Sequence, residues 1–307
     1  MADWFQPALR FVHYALLLGL FGWAGFRVVG LSAANWVSER SGRTTAIVAA
    51  TLAPVVATVL MLASIAAMMG QPIAALDWPM IEAMTLSTDM GWAFMARTVL
   101  LIAGFVAVFV GRGSAGLSIA ALCFAAALLT LSWSGHAAAT DGALGLVHRL
   151  CNGIHLLAAG LWLGAIGWFL HLSIIAHREP GRVAALPLLA VMHRFAPLGV
   201  ALVATVSATG LLNAQLIFGL ENSAATLTTS YGLLLAAKIA LFGGMLAFGA
   251  HNAWVSRRSV GTNMGAEQSQ AETLASLRHS LAFELALGTV VIGLVTILGM
   301  LSPMMME

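Results

Sequence analysis

The chain has 307 residues, of which 60% are hydrophobic and only 8% are charged. Soluble domains carry roughly 25% charged residues, so this chain cannot cover a water-exposed surface, and a soluble enzyme is excluded. The 14 basic residues are dispersed and the formal net charge is only +2, so no basic stripe suited to nucleic acid is present. The composition predicts an all-α bundle of membrane-spanning helices surrounded by lipid.

Apolar segments of helix length follow one another along the whole chain. A hydrocarbon core about 30 Å thick requires roughly 20 helical residues. Eight segments reach that length and predict eight transmembrane helices in one integral-membrane domain, residues 1–307. A polar run at 257–278 predicts the one substantial loop. The approximate segment bounds are 8–31, 44–70, 89–111, 115–134, 144–172, 189–218, 231–255 and 279–302.

Basic residues fall in alternate loops, and loops rich in Lys and Arg are retained on the cytoplasmic side. This pattern predicts that both termini face the periplasm of a bacterial inner membrane. The first segment is expected to be retained, because no basic stretch and small-residue cleavage site accompany it. The basic loop residues are Arg40, Arg43, Arg112, Arg178, Arg182, Arg257, Arg258 and Arg278.

The fifth segment carries the most chemistry. His148, Cys151, Asn152 and His155 stand at i, i+3, i+4 and i+7, which places them on one helical face near the outer surface. Imidazole and thiol together suit copper or zinc, and His136 precedes this helix in a loop that can fold back onto it. The alternatives are histidines at the membrane interface and histidines that hydrogen-bond across helices.

Methionines are concentrated on the predicted outer side, and several end the chain at 302–307. Thioether sulfur favours Cu(I), although methionine also serves as ordinary packing material in membrane helices. Met304 is a candidate ligand because it lies beyond the last helix, where packing does not require a thioether.

Two ionisable residues lie inside the later segments and should face the bundle interior. Lys238 lies in the seventh segment, where it can snorkel outward or pair with Glu221. Glu284 lies in the eighth and is too short to snorkel, so it needs a partner. We expect that partner to be Arg194 or His279.

Residues 155–164 resemble the His-x6-Trp-x-Gly signature of the copper resistance D (CopD) family of bacterial inner-membrane proteins, with His155, Trp162 and Gly164 at the signature positions. The resemblance is specific over 133–303 and weaker over 1–132. Further matching residues are Ser134 to Ala137, Arg194 and Phe195, Ala208 to Gly210, Asn213, Tyr231, Gly232, Lys238, Leu277 to Ser280, Glu284 and Gly288.

The resemblance implies copper handling, usually described as uptake from the periplasm, by a transporter rather than an enzyme. The cargo would be Cu(I) or Cu(II), and a separate periplasmic copper-binding protein is the implied partner. An outer copper site is predicted from the following residues: His136, His155 and His148, supplemented by Cys151, His13 or a methionine such as Met304.

A second hypothesis is a membrane oxidoreductase or cupric reductase that carries haem b or exchanges electrons with quinone. Histidines on separate helices can ligate haem axially, and His13 and His155 fall at similar predicted depths.

If the protein transports copper, polar residues must line a route through the bundle. The sequence offers five residues along it: Trp162, Thr209, Asn213, Lys238 and Glu284. Glu284 is then a candidate exit ligand or the site of a proton-coupled step. The alternative is a purely structural contact between helices.

Overall fold

The computed structural model describes residues 4–32, 34, 36–38, 41–179, 181–261 and 267–302, with only the backbone described at 136, 260, 261 and 267–269. These residues form ten α-helices and four short 3-10 helices. The α-helices are α1 (Phe5–Val29), α2 (Arg43–Met69), α3 (Trp78–Leu86), α4 (Asp89–Val110), α5 (Gly113–Leu129), α6 (Gly142–Arg178), α7 (Ala185–Phe218), α8 (Ser223–Thr226), α9 (Ser230–Gly261) and α10 (Glu267–Leu298). The 3-10 helices are Ile73–Ala75, Thr130–Trp133, His136–Ala138 and Leu220–Asn222.

Eight of these helices are long and apolar enough to cross a membrane, which confirms the predicted all-α fold and the number of spans. They are α1, α2, α4, α5, α6, α7, α9 and α10. An even number of spans brings the start of α1 and the end of α10 to the same end of the bundle. Arg10 donates to the backbone carbonyl of Gly299 there, at 3.3 Å. We call this the termini end.

The predicted loop at 257–278 is wrong. Helix α9 continues to Gly261 and α10 already begins at Glu267. The polar composition concealed an apolar stripe, because Leu274, Leu277 and Leu281 recur at i, i+3 and i+7 and are all buried in the bundle core. The extension of α10 is therefore an amphipathic helix that packs on its neighbours.

Two hydrophobic cores share helix α1. One core joins α1 to α2, α4 and α5, and the other joins the end of α1 to α6, α7, α9 and α10. Helix α1 contacts α2, α5, α6 and α10. The N-terminal and C-terminal halves of the chain are therefore held against one central helix.

Glycines allow α1 and α6 to cross at backbone contact. A Cβ on Gly22 would lie 2.6 Å from the carbonyl oxygen of Gly160, and a Cβ on Gly164 would overlap the carbonyl of Gly22. Such small-residue crossings are a common way to pack membrane helices closely. At about 100° per residue, Gly164 falls on the opposite side of α6 from His155. The crossing thus turns His155 away from α1 and towards α7.

Candidate metal site

His155 is oriented by a hydroxyl on the neighbouring helix. Its Nδ1 lies 3.0 Å from Oγ1 of Thr209 on α7. The Thr209 hydroxyl donates its single proton to the carbonyl of Thr205, one helical turn earlier. Oγ1 must therefore accept from Nδ1–H, because a hydroxyl has one proton to give. In this neutral tautomer the Nε2 lone pair of His155 is left available, which is how outer hydrogen bonds prepare a histidine for a metal.

Cys151 approaches the same threonine from one turn earlier on α6. Its thiol is buried and reduced, and Sγ donates to the backbone carbonyl of Thr209 at 3.4 Å. Cys151 and His155 stand at i and i+4, so they are neighbours on the helix surface. Thr209 therefore brings a thiol and an imidazole together at the interface between α6 and α7.

His148 lies one further turn towards the termini end. It is buried, and its Nδ1 is 3.0 Å from Oγ1 of Thr140, in the loop before α6. The rise from His148 to His155 is about 10.5 Å along the helix axis. Cys151 lies between them on the helix. Cys151 and His155 both contact Thr209, whereas His148 contacts Thr140.

Asn152 turns away from this site, and the side chains of two predicted ligands, His136 and Met304, are not described. Asn152 donates to Oγ of Ser132 at 3.2 Å, which ties α6 to the preceding 3-10 turn. The backbone of His136 lies in a short helix that contacts α6, but its side chain is outside the described part. Met304 also lies outside the described residues. Both stay predictions.

His13 belongs to a different polar cluster. It is fully buried, and its Nε2 lies 3.2 Å from a terminal nitrogen of Arg97 on α4. Arg97 also donates through Nε to Oγ1 of Thr130 at 2.7 Å. A guanidinium only donates, so Nε2 of a neutral His13 accepts and Nδ1 carries the proton. Neither ring nitrogen then offers a free lone pair, an arrangement that does not favour His13 as a metal or haem ligand.

Within the described part of the chain, no group of three or more His, Cys, Asp and Glu side chains is close enough together to hold a metal ion. Cys151 and His155 alone would therefore be an incomplete ligand set for a metal ion. Completion would need a thioether, an amide oxygen or a side chain that is not described.

Two family models match the chain on either side of this pair, and a relative matches it along nearly the whole chain. The N-terminal domain of copper resistance protein D-like proteins matches residues 1–146, and copper resistance protein D matches residues 189–298. Copper resistance protein D of Pseudomonas syringae pv. tomato is 31% identical over 318 residues, which cover 99% of both chains. The chain belongs to the copper resistance protein D family.

Two further relatives are similar to the chain. Inner membrane protein YebZ of Escherichia coli (strain K12) is 28% identical over 96% of this chain and 97% of its own length. Copper transport protein CutJ of Bacillus subtilis (strain 168) is 30% identical over 131 residues, which are 43% of this chain and 23% of that protein. No solved structure is a significant match. With its eight apolar helices, this family member is a multi-pass inner-membrane protein.

Two residues of the predicted copper route, Asn213 and Lys238, lie near Cys151 and His155. Asn213 follows Thr209 by one turn on α7, and its buried Oδ1 has no hydrogen-bond partner. Lys238 on α9 is close enough to His155 for the two side chains to interact electrostatically. The expected ion pair between Lys238 and Glu221 is wrong: among the described residues, the one ion pair lies within the loop at 179–182.

Glu284 has a partner that the sequence did not indicate. Its Oε2 accepts from Nδ2 of Asn252 on α9 at 3.0 Å, so the expected partners Arg194 and His279 are wrong. The side chain is 1% exposed, and Oε1 has no hydrogen-bond partner. Trp162 lines the same cavity, two turns beyond His155 on α6.

The orienting role of Thr209 and the pairing of Asn252 were missed at the sequence level. Thr209 was predicted as a route residue and lies in a family motif, but neither signal indicated its contact with His155. Asn252 and Glu284 are separated by 32 positions on two helices, and their contact follows from the rotation of α9 against α10. A polar side chain deep in each of two adjacent spans was the available signal.

Proposed function

We propose that this protein accepts copper at the termini end of the bundle and moves it into the membrane, with Cys151 and His155 as the core of the acceptor site. The orientation of His155 by Thr209 carries this proposal, because it leaves the Nε2 lone pair available while the buried Cys151 thiol contacts the same threonine. A thiolate and an imidazole suit Cu(I). Family membership supports copper as the cargo.

The remaining ligands are proposals of the same kind. His148 lies one turn from Cys151, while His136 and Met304 precede and follow helices that meet at the termini end. Asn213 also faces this region, and its amide oxygen has no hydrogen-bond partner. Copper binding deprotonates the Cys151 thiol, so each ion bound should release a proton.

The proposed direction follows the predicted orientation. The basic loops lie opposite the termini end, so under the predicted orientation the Cys151 and His155 pair would lie near the periplasm. A separate periplasmic copper-binding protein is the proposed donor. The name of CutJ describes a copper transport protein, and the corresponding uptake role is proposed here for this chain.

One face of α6 outlines the proposed route. Residues at intervals of three, four and seven on α6 form a line from His148 through Cys151 and His155 to Trp162, which borders the cavity beside Glu284. The step from His155 to Trp162 is about 10.5 Å along the axis. Lys238, which interacts electrostatically with His155, would control the entry of cations into this line.

Copper stoichiometry tests the acceptor site directly. The double variant Cys151→Ser and His155→Ala, purified in detergent, should lose the tightly bound Cu(I) of the wild type. Cys123→Ser is the matched control, because Cys123 is the other free cysteine and lies on α5. Unchanged stoichiometry in a folded double variant would contradict the proposed site.

Transport requires its own experiment. Wild-type protein reconstituted in vesicles should move Cu(I) into the lumen, and the Cys151 and His155 variants should not. Vesicles in which the wild type binds copper without moving it would retain the acceptor site and refute the transport role.

A further inference from the structure

A cavity of about 230 Å³ lies between α6, α7, α9 and α10, on the far side of Trp162 from His155. Its walls are almost entirely apolar and include Phe169, Phe195 and Leu246. Glu284 is the one ionisable residue among the described side chains that line it. The carboxyl group of Glu284 therefore lies in an apolar cavity within the membrane-spanning part of the bundle.

Two oxygen atoms in this cavity lack a donor. Oε1 of Glu284 and Oδ1 of Asn252 are both buried and have no hydrogen-bond partner, although the same two side chains are joined through Nδ2 and Oε2. On the α9 side, Gly249 leaves room for the carboxyl: an added Cβ would lie 3.4 Å from Oε1. Buried hydrogen-bond acceptors rarely lack a donor, so the two oxygen atoms indicate that a ligand binds between Glu284 and Asn252.

No charged group described around the cavity compensates a negative charge on Glu284. Helix α9 presents Gly249 and Asn252, and α6 presents Trp162, whose indole N–H lies close enough to interact with the carboxyl. Helix α7 presents apolar side chains, and its neighbouring His193 and Arg194 are not part of the lining. On α10 the other lining residue is Leu281. An isolated carboxylate here would carry a large desolvation cost.

We propose that Glu284 and Asn252 form a membrane-embedded proton-binding site. A proton on Oε1 of Glu284 donates to Oδ1 of Asn252, while Nδ2 of Asn252 donates to Oε2. One proton thus satisfies both bare oxygens and removes the charge, and the two side chains form a reciprocal acid–amide pair. On release, the O–H bond breaks, the carboxylate keeps the electron pair, and the proton passes to water.

The atoms that Glu284 and Asn252 offer to a ligand favour a proton over a metal ion. The pair offers oxygen atoms only, whereas Cu(I) prefers sulfur and nitrogen. Hard cations such as Ca²⁺ and Mg²⁺ require about six oxygen ligands. The nearby Ser256 hydroxyl already donates to the carbonyl of Ala253. The proton site does not depend on copper transport, so its test uses the copper-free protein.

Modification by a hydrophobic carbodiimide tests the site in the intact protein. The reagent dicyclohexylcarbodiimide attacks protonated carboxyl groups in apolar surroundings. In lipid nanodiscs, mass spectrometry should find the adduct on Glu284, and the modification rate should fall as the pH is raised. Glu272→Gln is the matched control, because Glu272 is exposed on the same helix and its loss should leave the modification unchanged.

Infrared spectroscopy supplies the second measurement. Wild-type protein should show a carboxylic-acid C=O band that is lost in Glu284→Gln and moves to higher frequency in Asn252→Leu, where the acid loses its acceptor. Absence of both the adduct and the band at neutral pH would overturn the proposal. Protection of Glu284 by Na⁺, but not by choline at equal ionic strength and pH, would also overturn it in favour of a metal-cation site.

Discussion

Thr209 has one hydroxyl proton, and the carbonyl of Thr205 receives it. This small constraint fixes which nitrogen of His155 carries hydrogen and which keeps its lone pair. A second bond, from the Cys151 thiol to the backbone carbonyl of Thr209, holds the sulfur atom against the same residue. At the scale of single residues, the proposed copper chemistry depends on a threonine that does not itself bind the metal.

Removing this hydroxyl should weaken copper binding without altering the fold. In Thr209→Val the Nδ1–H of His155 loses its acceptor, and loss of such an outer hydrogen bond typically costs roughly 10- to 100-fold in metal affinity. Competition with a chromophoric Cu(I) chelator measures the effect. Thr209→Ser should restore affinity because it keeps the hydroxyl.

Thr205→Val is the control for that experiment, since the Thr205 hydroxyl bonds within its own helix to Ala201. Equal copper affinity in Thr209→Val and Thr205→Val would show that the orienting bond has no role.

His13 should behave in the opposite way. Its Nε2 accepts from the buried Arg97, so His13→Ala leaves a guanidinium donor unsatisfied and should cost about 1–3 kcal/mol of stability. Copper stoichiometry should stay at the wild-type value. A stable His13→Ala protein that has lost copper would instead make His13 a ligand, as the sequence suggested.

At the scale of helices, the α1–α6 crossing positions the site. Gly164→Ala places a Cβ against the carbonyl of Gly22, and such overpacking typically costs about 1–3 kcal/mol. Thermal unfolding in detergent should show a lower midpoint for this variant. Gly167→Ala is the control, because nothing lies within 4 Å of a Cβ added there. Identical midpoints for the two variants would mean that the crossing is not close-packed.

Hydropathy predicted the spans correctly because lipid demands long apolar helices whatever their partners. It failed at 257–278, where Leu274 and Leu277 pack on other helices and a polar exposed face lowers the average hydropathy. Helix extension there depends on tertiary contacts, which local composition does not report.

The candidate site, like the fold, was predictable from the sequence only in part. Spacing alone placed Cys151 and His155 on one face of a helix. The pairing of Glu284 with Asn252 was not predictable, because several polar residues lay at a suitable depth and only the packing of α9 against α10 selects one. Partner choice between helices is a property of the assembled bundle.

At the scale of the whole molecule, the orientation in the membrane is the next prediction. Basic loops predict that both termini are periplasmic and that position 263 is cytoplasmic. In a Cys123→Ser background, Glu221→Cys should react with a membrane-impermeant maleimide in intact spheroplasts. Asn263→Cys should react only after the membrane is opened. The reverse pattern would invert the proposed direction of copper entry.

X-ray absorption spectroscopy of the Cu(I)-loaded protein tests the central claim most directly. A copper ion held by Cys151 and His155 predicts scattering from sulfur and from an imidazole ring, with the sulfur contribution reduced in Cys151→Ser and the imidazole contribution reduced in His155→Ala. Cys123→Ser should give the wild-type spectrum. Copper bound tightly by the Cys151→Ser, His155→Ala double variant, with the wild-type spectrum unchanged, would contradict the account.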